Sequence, residues 1–339
     1  MHSSDDMHAL VVRGHAEHGI ERIPRPSPAV GEALVAVTHA AVCSSDLRLL
    51  RGQLHDASYP VVPGHEWVGR VLEAPGAPEW VGHAVVVEGI TPCRRCAACA
   101  AGLYNLCSDL DEVGFTRPGA FAEALTAPIM NLRRLPDGVA ELDACLIEPT
   151  CVALHACERA GTLAGRSVGV LGGGAIGLLV AQLARASGAA TITVFERSAP
   201  RRALANSLAL ETEASLPTPG SAITTLPEVV FDACGAAQMF AAGLEATRPG
   251  GTYVLVGYSG SELAPFAPSA IMLRELTVRG ALSGFDKIDE AVRLLASGAI
   301  ALRPLIGEPI EFDDASYRRL LDEPADLPLR PVFRMPAAA

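Results

Sequence analysis

Four cysteines stand close together in one short segment of the chain: Cys93, Cys96, Cys99 and Cys107. Four thiolates at these spacings can surround one tetrahedral Zn²⁺ ion, because each Zn–S bond spans only about 2.3 Å and the intervening residues are small or charged. Two disulfides or an iron–sulfur cluster could use the same sulfurs, although a chain without an export signal disfavours disulfides. The spacing therefore predicts a structural zinc site in loop 93–107, closed by four protein ligands.

A second pattern with chemical meaning is a glycine-rich turn between an apolar strand and a helix. The apolar run from Ser167 to Leu171 ends at a turn made of Gly172, Gly173, Gly174, Ala175, Ile176 and Gly177. In this pattern the first glycine permits a tight turn, the second lets a pyrophosphate approach the backbone, and the third lets the helix pack against the strand. The pyrophosphate would lie at the helix N-terminus, so the turn predicts dinucleotide binding.

The residue after the next strand indicates which dinucleotide the turn binds. Glu196 follows the run from Thr191 to Phe195, and an acid at this place can accept both ribose hydroxyls of adenosine, which favours NAD over NADP. Arg197 and Arg202 add positive charge beside Glu196, and Arg201 stands five residues after it, so NADP stays open as a cofactor. These arginines could equally be solvated charges at a helix start. Gly257, after a later strand, is predicted to let the backbone approach the nicotinamide.

Cysteine, histidine and glutamate side chains in three other loops could form a second metal site. Cys43 follows an alternating strand, His65 and Glu66 follow Pro63-Gly64, and Glu148 precedes Pro149 near a helix predicted to begin at about Thr150. Sulfur, imidazole and carboxylate ligands suit a catalytic zinc that keeps one open coordination position. Each residue also has an ordinary interpretation, as a core cysteine, a hydrogen-bonded histidine or a helix-capping glutamate. Spacing alone does not decide between them.

The elements that must position these residues fall into two kinds. Up to about residue 150 the chain has short strand-like runs broken by Gly and Pro, including 8–12, 33–41 and 83–87, which predict a mostly β domain. From 152 to about 284 strands and helices alternate, with strands at 229–232 and 252–256 and a helix at 239–247, which predicts a doubly wound parallel sheet. A helix over 287–297 and a closing strand at 331–333 are expected near the end.

Composition bounds the class of protein. The 339 residues are enough for two domains, half of them are hydrophobic, and the formal net charge of −11 argues against a nucleic-acid partner. No apolar stretch has membrane-spanning length and the N-terminus lacks signal-peptide order, so a soluble, cytoplasmic protein is expected. Four further cysteines lack ligand spacing and are predicted to be small core residues: Cys145, Cys151, Cys157 and Cys234.

The order of the motifs resembles that of the zinc-dependent medium-chain dehydrogenases. The resemblance rests on Cys43-Ser44-Ser45-Asp46, Gly64-His65-Glu66, the four-cysteine loop and the later glycine turn, and it spans nearly the whole chain. It implies a GroES-like catalytic domain, residues 1–151 and 285–339, interrupted by a Rossmann NAD-binding domain, residues 152–284, with the active site in the cleft between them. It also implies two Zn²⁺ ions per chain, one catalytic and one structural, and a homodimer or homotetramer.

The same resemblance implies roles for individual residues of the second metal site. Cys43 and His65 would be zinc ligands. A glutamate at position 148 resembles the sorbitol, glucose and threonine dehydrogenase branch, in which Glu66 and Glu148 can each lie near the metal and either can be the third protein ligand. Asp46 would be the carboxylate that orients His65.

Proton transfer would use residues of the same segment. Ser45 matches the family's hydroxyl that takes the alcohol proton and passes it towards the cofactor ribose. Arg48 stands where many members carry a histidine that releases this proton to solvent, and a guanidinium cannot accept it. The last step would then use water, His39 or His55, and Arg48 would contact a cofactor or substrate oxygen or lie on a solvated surface.

The expected activity is hydride transfer from a secondary alcohol to NAD, or the reverse, on a polyol, an aminocyclitol or a related sugar-like alcohol or ketone. Segments 59–67, 114–120 and 131–137 resemble the dehydrogenases that oxidise 2-deoxy-scyllo-inosamine in aminoglycoside antibiotic biosynthesis. L-threonine or a simple alcohol is the alternative substrate. A nucleotide-binding member of the superfamily without catalytic activity is the alternative from another class.

Overall fold

The computed structural model describes residues 6–14, 17–54, 58–217, 222–258, 260, 265–322 and 328–336. The chain forms two compact units. Unit 1 consists of Met1–Glu148, Ile288–Ala296 and Leu302–Ala339, and unit 2 consists of Pro149–Lys287 and Ser297–Ala301.

Strands in the described part of the chain are numbered in chain order. They are β1 (Asp6–Gly14), β2 (Glu17–Pro24), β3 (Glu32–Ala41), β4 (Glu66–Glu73), β5 (Ala84–Val87), β6 (Ile90–Thr91), β7 (Asp111–Glu112), β8 (Ala124–Pro128), β9 (Leu132–Arg134), β10 (Ser167–Leu171), β11 (Thr191–Phe195), β12 (Glu211–Glu213), β13 (Val229–Asp232), β14 (Thr252–Leu255), β15 (Thr277–Gly280), β16 (Ile310–Glu311) and β17 (Val332–Arg334).

The α-helices are numbered in the same way. They are α1 (Ser44–Leu50), α2 (Ala97–Ala100), α3 (Glu141–Ala144), α4 (Ile147–Ala160), α5 (Ala175–Ala186), α6 (Ala199–Ser207), α7 (Met239–Ala246), α8 (Ser269–Met272), α9 (Ile288–Ala296) and α10 (Asp314–Asp322). Among the described residues, none of these helices is long and apolar enough to span a membrane.

Unit 1 is built around a seven-stranded sheet. Its order is β16-β17-β3-β4-β5-β9, with β8 paired to the other part of β3, and β1-β2 and β6-β7 form two further ribbons. Strand β3 lies at the centre of the sheet because its residues are almost all apolar and β-branched or small, a composition that suits burial on both faces. The core beneath it includes Leu34, Trp67, Phe121 and Phe333.

Unit 2 contains a six-stranded sheet in which every neighbouring pair is parallel. The order is β12-β11-β10-β13-β14-β15, which is the doubly wound arrangement with β10 and β13 at the switch point. Helix α5 is buried along nearly its whole length, as expected of a crossover helix between sheet strands. The predicted fold class, a mostly-β GroES-like domain with a parallel Rossmann domain, is confirmed.

One predicted boundary was wrong. The helix expected to begin near Thr150 begins at Ile147, so Glu148 lies in its first turn rather than before it. Pro149 does not prevent this, because the first turn of a helix has no intrahelical partner for its backbone N–H groups and proline is tolerated there.

Candidate active site

Strand pairing in unit 1 brings the two ends of the predicted metal site together. Ala41 of β3 pairs with Glu66 of β4 in an antiparallel ladder, so Cys43, just after β3, lies beside His65, just before β4. The sulfur of Cys43, an imidazole nitrogen of His65 and a carboxylate oxygen of Glu66 all lie within 4.8 Å of one another. These separations fit a tetrahedral ion with ligand bonds of about 2.0–2.3 Å.

A buried carboxylate orients the histidine and holds the cysteine loop. Asp46, fully buried in α1, accepts hydrogen bonds from the backbone N–H groups of Cys43 at 2.8 Å and Gly64 at 3.2 Å. Its Oδ1 lies 3.3 Å from Nδ1 of His65. This contact leaves Nε2 of His65 directed to the other donor atoms, which is the arrangement in which a carboxylate sets the tautomer of a metal-binding histidine.

Glu66 is paired with an arginine that the sequence interpretation did not identify. Nη2 of Arg330 lies 2.7 Å from Oε1 of Glu66, and the two side chains are 7% and 1% exposed. In the described residues Oε2 of Glu66 is buried without a hydrogen-bond partner. A buried carboxylate oxygen without a donor suits metal coordination. The only sequence signal for Arg330 is its position directly before the predicted closing strand at 331–333.

The charges of this cluster shift the pKa values of its members. Burial alone would raise the pKa of the Cys43 thiol, but the Arg330 guanidinium and a hydrogen bond with His65 bring that pKa well below its usual value. Burial raises the pKa of Glu66, and Arg330 opposes the shift. A thiol that ionises easily suits metal binding, because the thiolate is the ligand form.

Glu148 lies near this cluster but is not one of the three clustered donors. A Cβ placed on Gly89 would come within 3.4 Å of Cγ of Glu148. Burial raises the pKa of Glu148 to about 7, and the charge of His65 opposes the rise. The structure therefore brings Glu66 to Cys43 and His65, and places Glu148 at the margin of the same cluster.

The predicted proton-transfer residues are only partly brought together. Oγ of Ser45 lies 3.5 Å from Nε2 of His65. Arg48 is partly exposed on α1, three residues after Ser45, and is therefore its neighbour on the surface of that helix. His39 lies on β3, and its Nδ1 is buried without a hydrogen-bond partner among the described residues. His55 lies outside the described residues.

The four-cysteine loop has the geometry of one closed metal site. The sulfurs of Cys93, Cys96, Cys99 and Cys107 all lie within 4.8 Å of one another. Sγ of Cys96 and Sγ of Cys107 are 3.8 Å apart, far from the 2.05 Å or so of a disulfide. The backbone N–H groups of Cys93 and Asp109 donate to Sγ of Cys107, and those of Cys99 and Ser108 lower the pKa of Cys96 to about 5. These donors stabilise thiolates, which a Zn²⁺ site requires.

Removing one of these thiolates tests the site directly. Cys96→Ser is expected to lose about one metal ion per chain and to lower the melting temperature, because binding energy at a structural zinc contributes to folding. Metal analysis and thermal denaturation measure the two effects. Cys234→Ser, at an exposed thiol, is the matched control and should keep both metal content and melting temperature. Equal metal content in the two variants would contradict the site.

The glycine turn of unit 2 has the close contacts that its motif requires. Gly172 has φ +97°, a conformation that side chains other than glycine rarely adopt. A Cβ on Gly177 would lie 2.0 Å from the carbonyl oxygen of Gly172, so only glycine lets α5 pack this closely. Gly174 caps α5, and a Cβ there would meet nothing within 4 Å. Ala175 and Ile176 begin α5, where free backbone N–H groups can receive a pyrophosphate.

Glu196, directly after β11, is held by hydrogen bonds to the glycine turn and to the residues that follow it. Its Oε2 accepts from the backbone N–H of Gly173 at 2.8 Å, and its Oε1 accepts from that of Ser198 at 2.8 Å. Each carboxylate oxygen keeps a second lone pair for a ligand hydroxyl. Nη1 of Arg201 lies 3.8 Å from Oε2 of Glu196, and both Arg201 and Arg197 are exposed.

Gly257 and Cys234 have surroundings that the sequence did not indicate. A Cβ on Gly257 would lie 2.2 Å from the backbone nitrogen of Gly235, so the structure gives a packing reason for this glycine. The prediction that Cys234 is a core residue was wrong: it is exposed, because it follows the end of β13. Cys145, Cys151 and Cys157 are buried.

Both units of the chain contain segments that match known protein families. Residues 29–137 match the alcohol dehydrogenase GroES-like domain and residues 175–297 match the zinc-binding dehydrogenase family. D-xylulose reductase A of Aspergillus oryzae is 32% identical over 324 residues, covering 88% of this chain and 89% of the relative. Sorbitol dehydrogenase of Macaca fascicularis is 31% identical over 323 residues, covering 88% and 87%.

A solved structure supports the same relationship. A Sinorhizobium meliloti chain described as a zinc-binding dehydrogenase, bound to NADP, superimposes with a TM-score of 0.91 at 29% identity, covering 97% of this chain and 99% of that one. The chain therefore belongs to the zinc-dependent medium-chain dehydrogenases, in the branch of sorbitol dehydrogenase and xylulose reductase, and is an oxidoreductase of the zinc- and NAD(P)-dependent type.

Proposed function

We propose that the protein oxidises a secondary alcohol of a polyol or aminocyclitol with NAD as hydride acceptor, or catalyses the reverse reduction. The observation that carries this proposal is the cluster of Cys43, His65 and Glu66, a sulfur, nitrogen and oxygen donor set with three protein ligands and hence room for a substrate oxygen. The polyol relatives support the substrate class. The aminocyclitol rests on the resemblance of segments 59–67, 114–120 and 131–137.

The chain's own residues would hold the reactants and move the proton. When bound, Zn²⁺ lowers the pKa of a hydroxyl ligand and NAD supplies the hydride acceptor. Asp46 keeps Nε2 of His65 in the donor cluster. Oγ of Ser45, 3.5 Å from that nitrogen, would accept the alcohol proton while its own proton passes on. Arg48 cannot take the next step, because a guanidinium does not give up its proton at physiological pH.

The test of this function is metal-dependent turnover. The protein is stripped with a chelator, reloaded with Zn²⁺, and assayed for NADH absorbance over a panel of polyols, aminocyclitols, L-threonine and simple alcohols. Zinc-dependent NADH formation with a polyol or aminocyclitol is expected. Turnover limited to L-threonine or a simple alcohol would replace the substrate class. NAD binding without zinc-dependent turnover on any member would favour a non-catalytic nucleotide-binding protein.

Cofactor choice depends on the charge of Glu196. Glu196→Gln keeps the size of the side chain but removes the negative charge beside Arg201, so the ratio of kcat/KM with NAD to that with NADP should fall at least about tenfold. Glu211→Gln, which removes the same charge from exposed β12, should leave the ratio unchanged. Steady-state kinetics with both cofactors measure it, and an unchanged ratio in Glu196→Gln would show that this carboxylate does not select NAD.

A further inference from the structure

A fourth carboxylate lies beside the donor cluster and has no part in the mechanism above. Glu112 belongs to β7, whose ladder pairs it with Ile90 of β6. The next residue, Val113, donates its backbone N–H to the carbonyl of Gly89, which is the glycine packed against Glu148. Glu112 therefore lies next to the short segment Gly89-Ile90, whose glycine packs against Glu148.

The residues after Glu112 pack against the segment that carries His65. A Cβ on Gly114 would lie 3.0 Å from the backbone nitrogen of Gly64, and the ring of Phe115 lies 5.2 Å from that of His65. The segment 112–115 thus runs along the cluster from Glu148 to His65. The electrostatics agree with this placement: burial raises the pKa of Glu112, the charge of His65 lowers it, and Glu112 in turn raises the pKa of Glu148.

Glu112 differs from its neighbours in how its charge is balanced. Glu66 is paired with Arg330, and Asp111 on the same short strand is paired with Arg117 at 3.1 Å. In the part of the chain that the structure describes, no Lys or Arg nitrogen forms an ion pair with Glu112. The side chain is only partly buried, and its carboxylate interacts electrostatically with His65 and Glu148 of the cluster. A partly buried carboxylate without a cation attracts positive ligand groups and repels negative ones.

We propose that Glu112 selects substrates by charge: its carboxylate favours a polyol that carries a protonated amine near the reacting hydroxyl and disfavours one that carries a carboxylate or phosphate. The proposal rests on the proposed function, in that the substrate is taken to bind at the cluster of Cys43, His65 and Glu66. Glu112 acts as a binding residue, and it neither coordinates the metal nor accepts the alcohol proton.

The test compares three ligands with one carbon skeleton and different charge at one end: sorbitol, 1-amino-1-deoxysorbitol and gluconate. Isothermal titration calorimetry with zinc-loaded protein saturated with NADH, which cannot accept hydride from an alcohol, gives each Kd without turnover. The wild-type protein is expected to bind the amine at least about tenfold more tightly than gluconate. At a partly buried site the Glu112 carboxylate attracts an ammonium group and repels a carboxylate, and the resulting difference in binding free energy corresponds to about tenfold or more in Kd. Glu112→Gln is expected to reduce the ratio about tenfold, with the Kd for sorbitol changed little.

Two variants and one condition separate charge from structure. Glu112→Asp should keep most of the preference, and Asp111→Asn, which removes the same charge from the other side of β7, should keep all of it. Raising the ionic strength from about 0.05 M to about 0.5 M should weaken the wild-type preference without any substitution. A wild-type protein that binds the amine no more tightly than gluconate, or a ratio unchanged in Glu112→Gln, overturns the proposal.

The outcome for Glu112 can be told apart from the outcome for the proposed function. NADH formation is followed in parallel with sorbitol and 1-amino-1-deoxysorbitol. A charge preference that depends on Glu112 without zinc-dependent turnover on any polyol or amino polyol would support the role of Glu112 and contradict the proposed reaction. Zinc-dependent turnover, together with a Kd ratio that is the same in the wild-type protein and Glu112→Gln, would support the proposed reaction and contradict the role of Glu112.

Discussion

Cys43→Ser is expected to reduce kcat/KM for the best alcohol about a thousandfold or more and to remove one of two metal ions per chain. A serine hydroxyl is a poor zinc ligand at neutral pH, because it stays protonated where the Cys43 thiol ionises readily. Loss of the ion removes several kcal/mol of charge stabilisation from the transition state, and each 1.4 kcal/mol or so corresponds to about tenfold in rate. NADH absorbance and metal analysis measure the two effects.

A buried cysteine in the same unit provides the control. Sγ of Cys145 donates to the carbonyl of Leu142 at 2.9 Å, a hydrogen bond that a serine hydroxyl can replace. Cys145→Ser should therefore keep both metal ions and most of the activity. The four-cysteine site should stay loaded in both variants, since it shares no ligand with Cys43. Full activity with two metal ions in Cys43→Ser would exclude that sulfur from the catalytic metal site.

Arg330→Met is expected to lower the free energy of unfolding by about 3–5 kcal/mol, because it leaves the Glu66 carboxylate buried without a cation. The loss should be larger after chelation than with Zn²⁺ bound, since a metal ion at Cys43, His65 and Glu66 would supply positive charge in place of the guanidinium. The double variant Arg330→Met/Glu66→Gln should regain part of the stability, because it removes the unpaired charge as well. Denaturant unfolding with and without chelator measures these differences.

Arg334 is the matched control for this change. It lies four residues later on β17 and forms an ion pair with Glu311 at 3.5 Å, but its side chain is 55% exposed and that of Glu311 is 67% exposed. An exposed pair contributes at most about 1 kcal/mol, so Arg334→Met should have a small effect. An equal loss of unfolding free energy in Arg330→Met and Arg334→Met would mean that the buried pair of Arg330 and Glu66 stabilises the protein no more than an exposed pair does.

Patterns within a short stretch of sequence were enough to predict much of the fold. The glycine turn, the strands around it and the acid at position 196 follow from local geometry, because a tight turn, a helix start and a strand end each constrain residues that are close along the chain. The four-cysteine loop was predicted for the same reason. Its ligands lie within one segment, so their spacing alone limits the geometry they can adopt.

The catalytic cluster was predicted only with the help of family resemblance. Cys43, His65 and Glu66 come together through the antiparallel pairing of β3 with β4, and no spacing in the sequence encodes that register. Likewise, the exposed thiol of Cys234 depends on where a strand ends in the folded sheet rather than on its neighbours in sequence.

The sequence by itself determined the four-cysteine loop, the dinucleotide turn and the two-part architecture, because those features are local patterns along the chain, whereas Cys43, His65 and Glu66 were grouped only through the family resemblance. Tertiary structure alone decided that Arg330 pairs with Glu66 and that Glu112 lies beside the donor cluster. The pair of Arg330 and Glu66 depends on a contact between distant segments, where burial makes the pairing of charges decisive and no pattern in the sequence indicates the partner. The position of Glu112 depends on the packing of segment 112–115 against Gly64, His65 and Gly89, which are also distant in sequence.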